Sequence, residues 1–396
     1  MRKTDWTRTD WLAALLLQWA YLVRVERNFG WRFMGMITSS HFFIKGFGST
    51  VSYNAALPYF KDYMGLDSAG YQAMLTASRT PWSIKPLIGI VSDVFPIRGY
   101  HKRWYCVGTS VLGGLGLVLL ATLPLDSPTY GPLGAFLMFL PSLQQATVDL
   151  LVEGKYAEKM ALMPETGSDI LTWTWSNYMA ANMLGALLIG VLADNVGPRA
   201  IYAVAVPFAL QIFYPLFRGW LDEERLMVGP DRRPKWGLVR QHAGVFFLAL
   251  MMGIAALGLM FVNLMAHDAE LLWYSIISST LLCVMGFYTL PSTMAKANLY
   301  MFLTNALYVG VSGPANYFYT APASAADCRE ADCQCYVVDG PAFSNTYFIT
   351  VNGAVGAVTG WIGIAIFQNF VSGRGSARGG WPPANGRGRG GGQTGA

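Results

Sequence analysis

Long apolar stretches alternate along the chain with short segments rich in charged residues, Gly and Pro. A helix needs roughly 20 consecutive apolar residues to cross the ~30 Å hydrocarbon core of a bilayer, and ten stretches have about that length. The pattern therefore predicts ten membrane-spanning helices. Their predicted bounds are Met36 to Phe60, Tyr71 to Phe95, Tyr105 to Leu123, Leu133 to Val152, Leu171 to Ala193, Ala200 to Phe217, Ala243 to Met265, Leu271 to Leu290, Leu299 to Tyr319 and Tyr347 to Phe370.

The composition agrees with this pattern. Hydrophobic residues make up 53% of the chain and charged residues only 13%, whereas soluble domains carry about 25% charged residues. Helices satisfy every backbone hydrogen bond internally, which lipid requires. We therefore predict an all-α, multi-pass membrane protein with the lipid bilayer as its surroundings.

The distribution of cations predicts the orientation of the chain. Short cytoplasmic loops hold an excess of Lys and Arg. If the N-terminus is cytoplasmic, the inner segments hold most of the 28 Lys and Arg residues, and the outer loops hold only Lys61, Arg199 and Arg329. The net charge of +5 is then explained by membrane orientation, so no nucleic-acid partner is expected.

The two ends of the chain differ from the spans. Trp11 to Val23 is apolar and follows basic residues, as in a secretory signal, but it contains aromatic residues and is followed by Arg24 and Arg27. An interfacial cytoplasmic helix is the favoured interpretation. After Phe370 the chain becomes SGRGSARGGWPPANGRGRGGG, a composition that cannot bury a core and predicts disorder.

These features divide the chain into six segments. A polar stretch rich in both charges separates six predicted spans from the remaining four. The predicted segments are an N-terminal cytoplasmic segment 1–35, a six-helix bundle 36–217, a central cytoplasmic loop 218–242, a two-helix segment 243–291, a partial C-terminal bundle 292–370 and a disordered tail 371–396.

The cysteines fall into two groups. Cys106 and Cys283 lie at or in predicted spans, where a thiol acts as a small hydrophobe. Cys328, Cys333 and Cys335 cluster in a predicted outer loop, where oxidising conditions permit one disulfide with one thiol left over. A zinc site is disfavoured because the loop offers no histidine, and no metal is expected.

The most specific motif is PWSIKPLIGIVSDVFPIRGYHKR, from Pro81 to Arg103. It resembles the signature of the folate-biopterin transporter family, in the style of the protozoan branch. DLLVEGKY from Asp149, YFYT from Tyr317 and DGPAFS from Asp339 strengthen the resemblance, which extends over Met36 to Phe370.

The resemblance implies a transporter of the major facilitator type, with two helical halves that rock about a central site. Its cargo would be a folate or biopterin, carried by secondary active transport and coupled to protons. It implies a plasma-membrane protein with no enzymatic activity, catalytic residue or cofactor.

The loop within this motif contains candidate gating residues. An Asp at a helix end, beside a tight Gly turn and several cations, can form charge-assisted hydrogen bonds. Such a latch would hold helix ends together in one conformer and break in the other, although the cations could also serve only as orientation signals. The candidates are Gly89, Asp93, Arg98, Gly99, Lys102 and Arg103.

Charged residues inside predicted spans are candidates for ligand binding, because a charge in the membrane is costly and is usually functional. Lys45 lies near the middle of the first span, and Arg79 and Lys85 lie in the second. Each could pair with a folate carboxylate, or with a buried acid for structure. Asn54 and Asn305 could bind the pterin edge or bridge helices.

Asp149 and Glu153 lie four residues apart in the fourth span, on one helical face. Two like carboxylates in a low dielectric raise the proton affinity of at least one of them, so the pair is a candidate for proton coupling. Alternatively, Glu153 lies at the cytoplasmic surface beside Lys155.

The chain departs from the family pattern after the central loop, where only four spans are predicted. The spans from Ala243 to Leu290 could be an inserted pair, which would leave an incomplete second half. An inactive membrane protein with a scaffold or regulatory role is therefore the alternative function.

Overall fold

A computed structural model describes residues 8–163, 166–226, 233–265, 268–308, 312–320 and 341–366. Within these ranges every regular element is helical, which confirms the predicted all-α class. The α-helices are α1 Arg8–Phe29, α2 Trp31–Ile37, α3 Gly48–Asn54, α4 Ser68–Ser83, α5 Lys85–Val94, α6 Arg103–Thr122, α7 Gly131–Leu162, α8 Gly167–Asn195, α9 Pro198–Leu210, α10 Phe213–Phe217, α11 Trp236–Gln241, α12 Ala243–Met265, α13 Asp268–Thr289, α14 Ser292–Leu307, α15 Ser312–Thr320 and α16 Asn352–Ile366. Three π-helices occupy Thr38–Phe47, Pro58–Tyr63 and Thr346–Val351.

Seven helical stretches of the described chain are long and apolar enough to cross a membrane. They coincide with seven of the ten predicted spans, and they confirm that this is a multi-pass membrane protein. Their bounds are Arg103–Thr122, Pro128–Leu162, Gly167–Asn195, Pro198–Phe217, Ala243–Met265, Ala269–Thr289 and Thr346–Ile364.

The other three predicted spans are built from shorter helices. The first comprises α2, two π-helices and α3. The second is divided into α4 and α5 at Ile84, because Pro86 has no N–H with which to continue the α-helical ladder. The ninth corresponds to α14 and α15, and residues 309–311 between them lie outside the described chain.

The π-helix Thr38–Phe47 continues directly from α2 and into α3. Such widened turns are uncommon and often occur at functional sites. This one carries both His41 and Lys45. It packs against α7 and α8, so its polar side chains face the centre of the helical bundle.

Helix α7 is central to the packing, because it contacts α4, α6 and the first π-helix. Around it, one apolar cluster includes Phe47, Tyr59 and Tyr202. A second cluster, toward the other end of α7, includes Ile44 and Val152. Helices after the central loop pack on this bundle, with α12 against α4 and α5, and α16 against α8.

The apolar N-terminal stretch is part of α1, which is joined to the start of α8. Arg24 Nε lies 2.8 Å from the fully buried Asp169 carboxylate, and the Tyr21 hydroxyl donates to the Asp169 carbonyl oxygen. An interfacial helix at this position would be fixed to the bundle by these contacts.

Cys106 and Cys283 are free thiols, and Cys106 is fully buried. The predictions for Cys328, Cys333 and Cys335 and for the tail 371–396 fall outside the described residues.

The close approach of the first π-helix to α8 gives a stability test. A Cβ on Gly46 would overlap the Ala181 methyl group, whereas a Cβ on Gly108 would meet nothing within 4 Å. Gly46→Ala should therefore lower the free energy of unfolding by about 1–3 kcal/mol through overpacking. Thermal denaturation of the purified protein in detergent measures this, and Gly108→Ala is the matched control. Equal stability of the two variants would contradict the packing described.

Candidate functional site

A buried carboxylate between two lysines lies at the centre of the bundle. Asp149 of α7 is 2% exposed. Its Oδ1 lies 2.9 Å from Lys45 Nζ of the first π-helix, and its Oδ2 accepts a 2.6 Å hydrogen bond from Lys85 Nζ at the start of α5. Because a buried charge requires a partner, this ion triad fastens three elements together and leaves one positive charge in excess.

Aromatic rings lie close to both lysines. Lys45 Nζ lies 5.2 Å from the ring centre of Trp175 and 5.7 Å from that of Tyr178. Lys85 Nζ lies 4.9 Å from the ring centre of Trp82. A cation over an aromatic face is attracted by the ring quadrupole, so these rings partly replace the water that each ammonium group has lost.

His41 lies beside the triad on the same π-helix as Lys45. Its Nε2 is 3.4 Å from Asp149 Oδ1, and its side chain is 1% exposed. Its Nδ1 is 2.9 Å from the Ser40 hydroxyl, and its ring centre lies 5.9 Å from that of Tyr156. The ring thus lies between the Asp149 carboxylate and Tyr156.

A cavity of about 830 Å³ opens next to the triad. Small-molecule sites usually enclose about 300–1,000 Å³, so the cavity has the volume of a ligand site. It is lined by side chains of the first helical run, α4, α7 and α8, and by small residues of α16. The lining side chains that can make polar or ring contacts include Lys45, Ser49, Ser52, Tyr53, Asn54, Arg79, Trp82, Gln145, Tyr178 and Asn182.

The structure brings three of the five candidate ligand residues into this cavity: Lys45, Asn54 and Arg79. Arg79 is exposed in the cavity, and its guanidinium carbon lies 4.4 Å from the ring centre of Tyr53. Lys85 reaches the cavity wall through Trp82. Asn305 is not part of the cavity, because it is exposed on α14 and donates to the Met301 carbonyl of its own helix.

The two predicted coupling carboxylates have different surroundings. Asp149 is buried between cations, whereas Glu153, one turn further along α7, is exposed. The charge of Asp149 is therefore balanced mainly by Lys45 and Lys85. Lys155 pairs with Glu158 at 2.7 Å. No ion pair between Lys155 and Glu153 is found among the described residues.

Sequence reasoning did not identify His41, Tyr53 or Gln145 as site residues. Residues four apart share a helical face. His41 precedes Lys45 by four residues and Gln145 precedes Asp149 by four, so this spacing could have found both. The Gln145 amide donates to the Ser52 hydroxyl at 3.0 Å. Nothing in the sequence around Tyr53 predicts its contact with Arg79.

The loop between α5 and α6 is held by the central loop. Glu223 accepts hydrogen bonds from the backbone N–H groups of His101, Lys102 and Arg103, at 2.6, 2.8 and 3.0 Å. Free N–H groups and the helix dipole make a helix N-terminus attractive to a carboxylate. We call these three bonds the Glu223 clasp. In addition, the Leu226 N–H donates to the Gly99 carbonyl.

The predicted latch residues lie around this clasp. Asp93 is exposed at the end of α5, and no ion pair joins it to the neighbouring cations in the described part of the chain. The Arg98 guanidinium lies over the Trp104 ring at 4.6 Å, with Arg98 and Gly99 both in the left-handed region. Lys102 Nζ lies 3.8 Å from Glu158.

The remaining two candidates lie on the neighbouring helices. Gly89 of α5 packs near Leu150, and Arg103 at the start of α6 donates to the Phe217 carbonyl oxygen.

A second contact fastens the central loop to α7. Lys159 Nζ donates a 2.6 Å hydrogen bond to the Asp222 carboxylate, and this bond holds the pKa of Asp222 below its usual range. Together with the clasp, it ties the residues that follow α10 to both α6 and α7.

Comparison with known sequences gives a consistent result. The sequence model of the BT1 family matches residues 45–377. Similar curated proteins are the "Probable folate-biopterin transporter 2" of Arabidopsis thaliana, 29% identical over 49% of this chain and 38% of the relative, and the "Folate-biopterin transporter" of Synechocystis sp., 26% identical over 38% of this chain and 30% of the relative. The "Probable folate-biopterin transporter 6" of Arabidopsis thaliana is 24% identical over 83% of this chain and 54% of the relative. The matched part of the chain thus spans about half or less of these relatives' lengths.

The ion triad predicts a charge-dependent stability. Asp149→Asn leaves two ammonium groups without their buried counter-ion and should lower the free energy of unfolding by about 3–5 kcal/mol. The double change Asp149→Asn with Lys85→Met restores the original net charge and should recover part of the loss. Thermal denaturation in detergent measures both. Asp126→Asn, at an exposed site, is the control, and no difference between it and Asp149→Asn would refute the triad.

The Glu223 clasp predicts a difference between two adjacent acids. Glu223→Ala leaves three N–H groups of the α6 start without their acceptor and should cost about 1–2 kcal/mol. Glu224→Ala removes an exposed neighbour and should change stability little. Thermal denaturation and limited proteolysis of the central loop measure the effect. Equal protease sensitivity of the two variants would argue against the clasp.

Proposed function

Because the chain belongs to the BT1 family, we propose that it carries a folate or biopterin compound across a membrane by alternating access. The observation that supports this most is the cavity of about 830 Å³ beside a cluster with surplus positive charge. Transporters of this architecture bind their substrates at a central site between helices.

The cavity lining suits the chemistry of a folate. A folate has a flat pterin ring with hydrogen-bonding edges and a glutamate with two carboxylates. Tyr53, Trp82 and Tyr178 offer rings for stacking. Lys45 and Arg79 offer cations for the carboxylates. Amides such as Asn54 can donate to and accept from the pterin edge.

The excess positive charge favours an anionic ligand. One carboxylate faces two lysines in the triad, and Arg79 adds a further cation whose guanidinium has a ring contact with Tyr53. An anion that enters the cavity would balance this charge, and Lys45 is the triad member that also lines the cavity. Lys45 would therefore be the group that turns from Asp149 to the ligand.

Transport is driven by protons in this proposal, with Asp149 as the central acid. Its charge depends on cations that a bound ligand would attract, so ligand binding and proton binding at the site are linked. Glu153 is exposed one turn further along α7. It would act as the group through which protons from water approach the site.

Opening and closing would involve the Glu223 clasp together with the motif residues around it. The clasp joins the start of α6 to the central loop. Alternating access requires contacts at one end of the bundle to form in one conformer and break in the other. We place the protein in the plasma membrane with its N-terminus in the cytoplasm. The cation distribution favours this orientation, which puts the clasp on the cytoplasmic side.

The substrate proposal predicts a selective effect of Arg79. Arg79→Gln removes a cation available to a carboxylate, and a hydrogen bond to a charged group contributes about 1.5–3 kcal/mol. The variant should therefore raise KM for folate about tenfold or more. It should change KM for biopterin, which has no carboxylate, less than about twofold. Uptake of each tritiated compound into proteoliposomes that contain the full chain measures this.

The control for Arg79→Gln is Lys296→Gln, at an exposed position of α14, which should behave like the unaltered chain. Equal effects of Arg79→Gln on both compounds would refute carboxylate binding by Arg79, but not the transport function. If neither folate nor biopterin were taken up above the level of empty liposomes, the transport function would be refuted.

A further inference from the structure

His41 is a buried histidine with a hydrogen-bond partner at one ring nitrogen, Nδ1, but not at the other, Nε2. Its Nε2 points at Asp149 Oδ1 from 3.4 Å. Within the described residues, Nε2 takes part in no hydrogen bond although it is buried, and Oδ1 has its ion pair with Lys45. Buried polar atoms normally have a partner, so the unpaired Nε2 calls for a physical explanation.

The two contacts of the Ser40 hydroxyl favour one tautomer of neutral His41. Ser40 Oγ donates to the Ile37 carbonyl oxygen at 3.0 Å. Its single proton is then in use, so at the 2.9 Å contact with His41 the hydroxyl accepts a hydrogen bond from Nδ1–H. Neutral His41 therefore presents an unprotonated Nε2 to the carboxylate, and two acceptors face each other. One added proton at Nε2 would turn this contact into a charge-assisted hydrogen bond.

Lys45 and His41 compete for the same oxygen. Lys45 Nζ lies 2.9 Å from Asp149 Oδ1, and His41 Nε2 approaches that oxygen from 3.4 Å. While the lysine ammonium is there, it repels a second positive charge and disfavours the protonation of His41. If Lys45 leaves, the carboxylate oxygen loses a cation, and protonation of His41 becomes favourable.

We propose that His41 takes up the proton that accompanies the ligand, by replacing Lys45 as the cation beside Asp149. The inference rests on the proposed transport of a carboxylate-bearing ligand. A ligand carboxylate draws the Lys45 ammonium into the cavity, and one proton from water then binds Nε2 and donates to Asp149 Oδ1. The ligand carboxylate that Lys45 binds brings one negative charge and the proton brings one positive charge, so these two charges cancel at the site.

Other charged groups near His41 are consistent with this exchange. From α7, Asp149 and Tyr156 are the titratable side chains in contact range. Lys45 is on the same π-helix, and Lys85 of α5 binds the other Asp149 oxygen, Oδ2. Lys85 thus keeps one side of the carboxylate neutralised throughout, and only Oδ1 changes its partner.

Proton uptake during ligand binding tests the proposal directly. The purified full chain in weakly buffered detergent near pH 7 is mixed with folate, while a pH-indicator dye reports protons and equilibrium dialysis reports bound folate. The unaltered chain should take up about one proton per folate, because imidazole is the side chain that titrates in this range. His41→Gln should bind folate more weakly, because no proton replaces the charge of Lys45 beside Asp149, and it should take up almost no protons per bound folate.

His242→Gln, at an exposed histidine at the end of α11, is the matched control and should take up protons like the unaltered chain. His41→Asn serves as a second variant if His41→Gln does not fold. Proton uptake that persists in a folded His41 variant would overturn the role of His41. So would folate binding by the unaltered chain without proton uptake. A lack of folate binding by the unaltered chain would instead refute the proposed function, and the inference with it.

Discussion

The buried carboxylate of Asp149 is the constraint on which the arrangement of the central helices depends. An isolated ionised carboxylate in a low dielectric is very costly, so it must have cations nearby. Lys45 and Lys85 supply them from two different elements at 2.9 and 2.6 Å. The position of α7 relative to the first span and to α5 is thus fixed by charge as well as by packing, and the same ions border the cavity.

The backbone at these positions is irregular where the ions meet. Lys45 lies on a π-helix, and Lys85 begins a helix that restarts after the break at Ile84. Pro86 causes that break because it has no N–H. Irregular backbone at membrane depth is tolerated where it is buried in protein or lines a cavity. Here the irregular backbone directs two lysines toward one acid. Two straight helices would orient these lysine side chains differently.

The sequence predicted the class of fold and drew attention to Lys45, Lys85 and Asp149, but it did not predict the contacts between these side chains. Lys45 and Lys85 were recognised because charges are rare in apolar runs, and Asp149 because it lies one turn from Glu153. That both lysines meet Asp149 depends on how distant helices pack, which periodicity does not encode. For the same reason the sequence suggests Asp93 as the latch acid, because it adjoins the cations along the chain, and gives no sign that Glu223 reaches this loop from a distant segment.

The central claim is that Lys45 is shared between Asp149 and the ligand, and the most direct test is a cryo-electron microscopy structure of the full chain with folate bound. The account predicts a folate carboxylate within hydrogen-bond distance of Lys45 Nζ, with Lys45 Nζ more than about 4 Å from Asp149 Oδ1, beyond the reach of an ion pair. Folate bound outside the cavity, or Lys45 still at its 2.9 Å distance from Asp149, would contradict it.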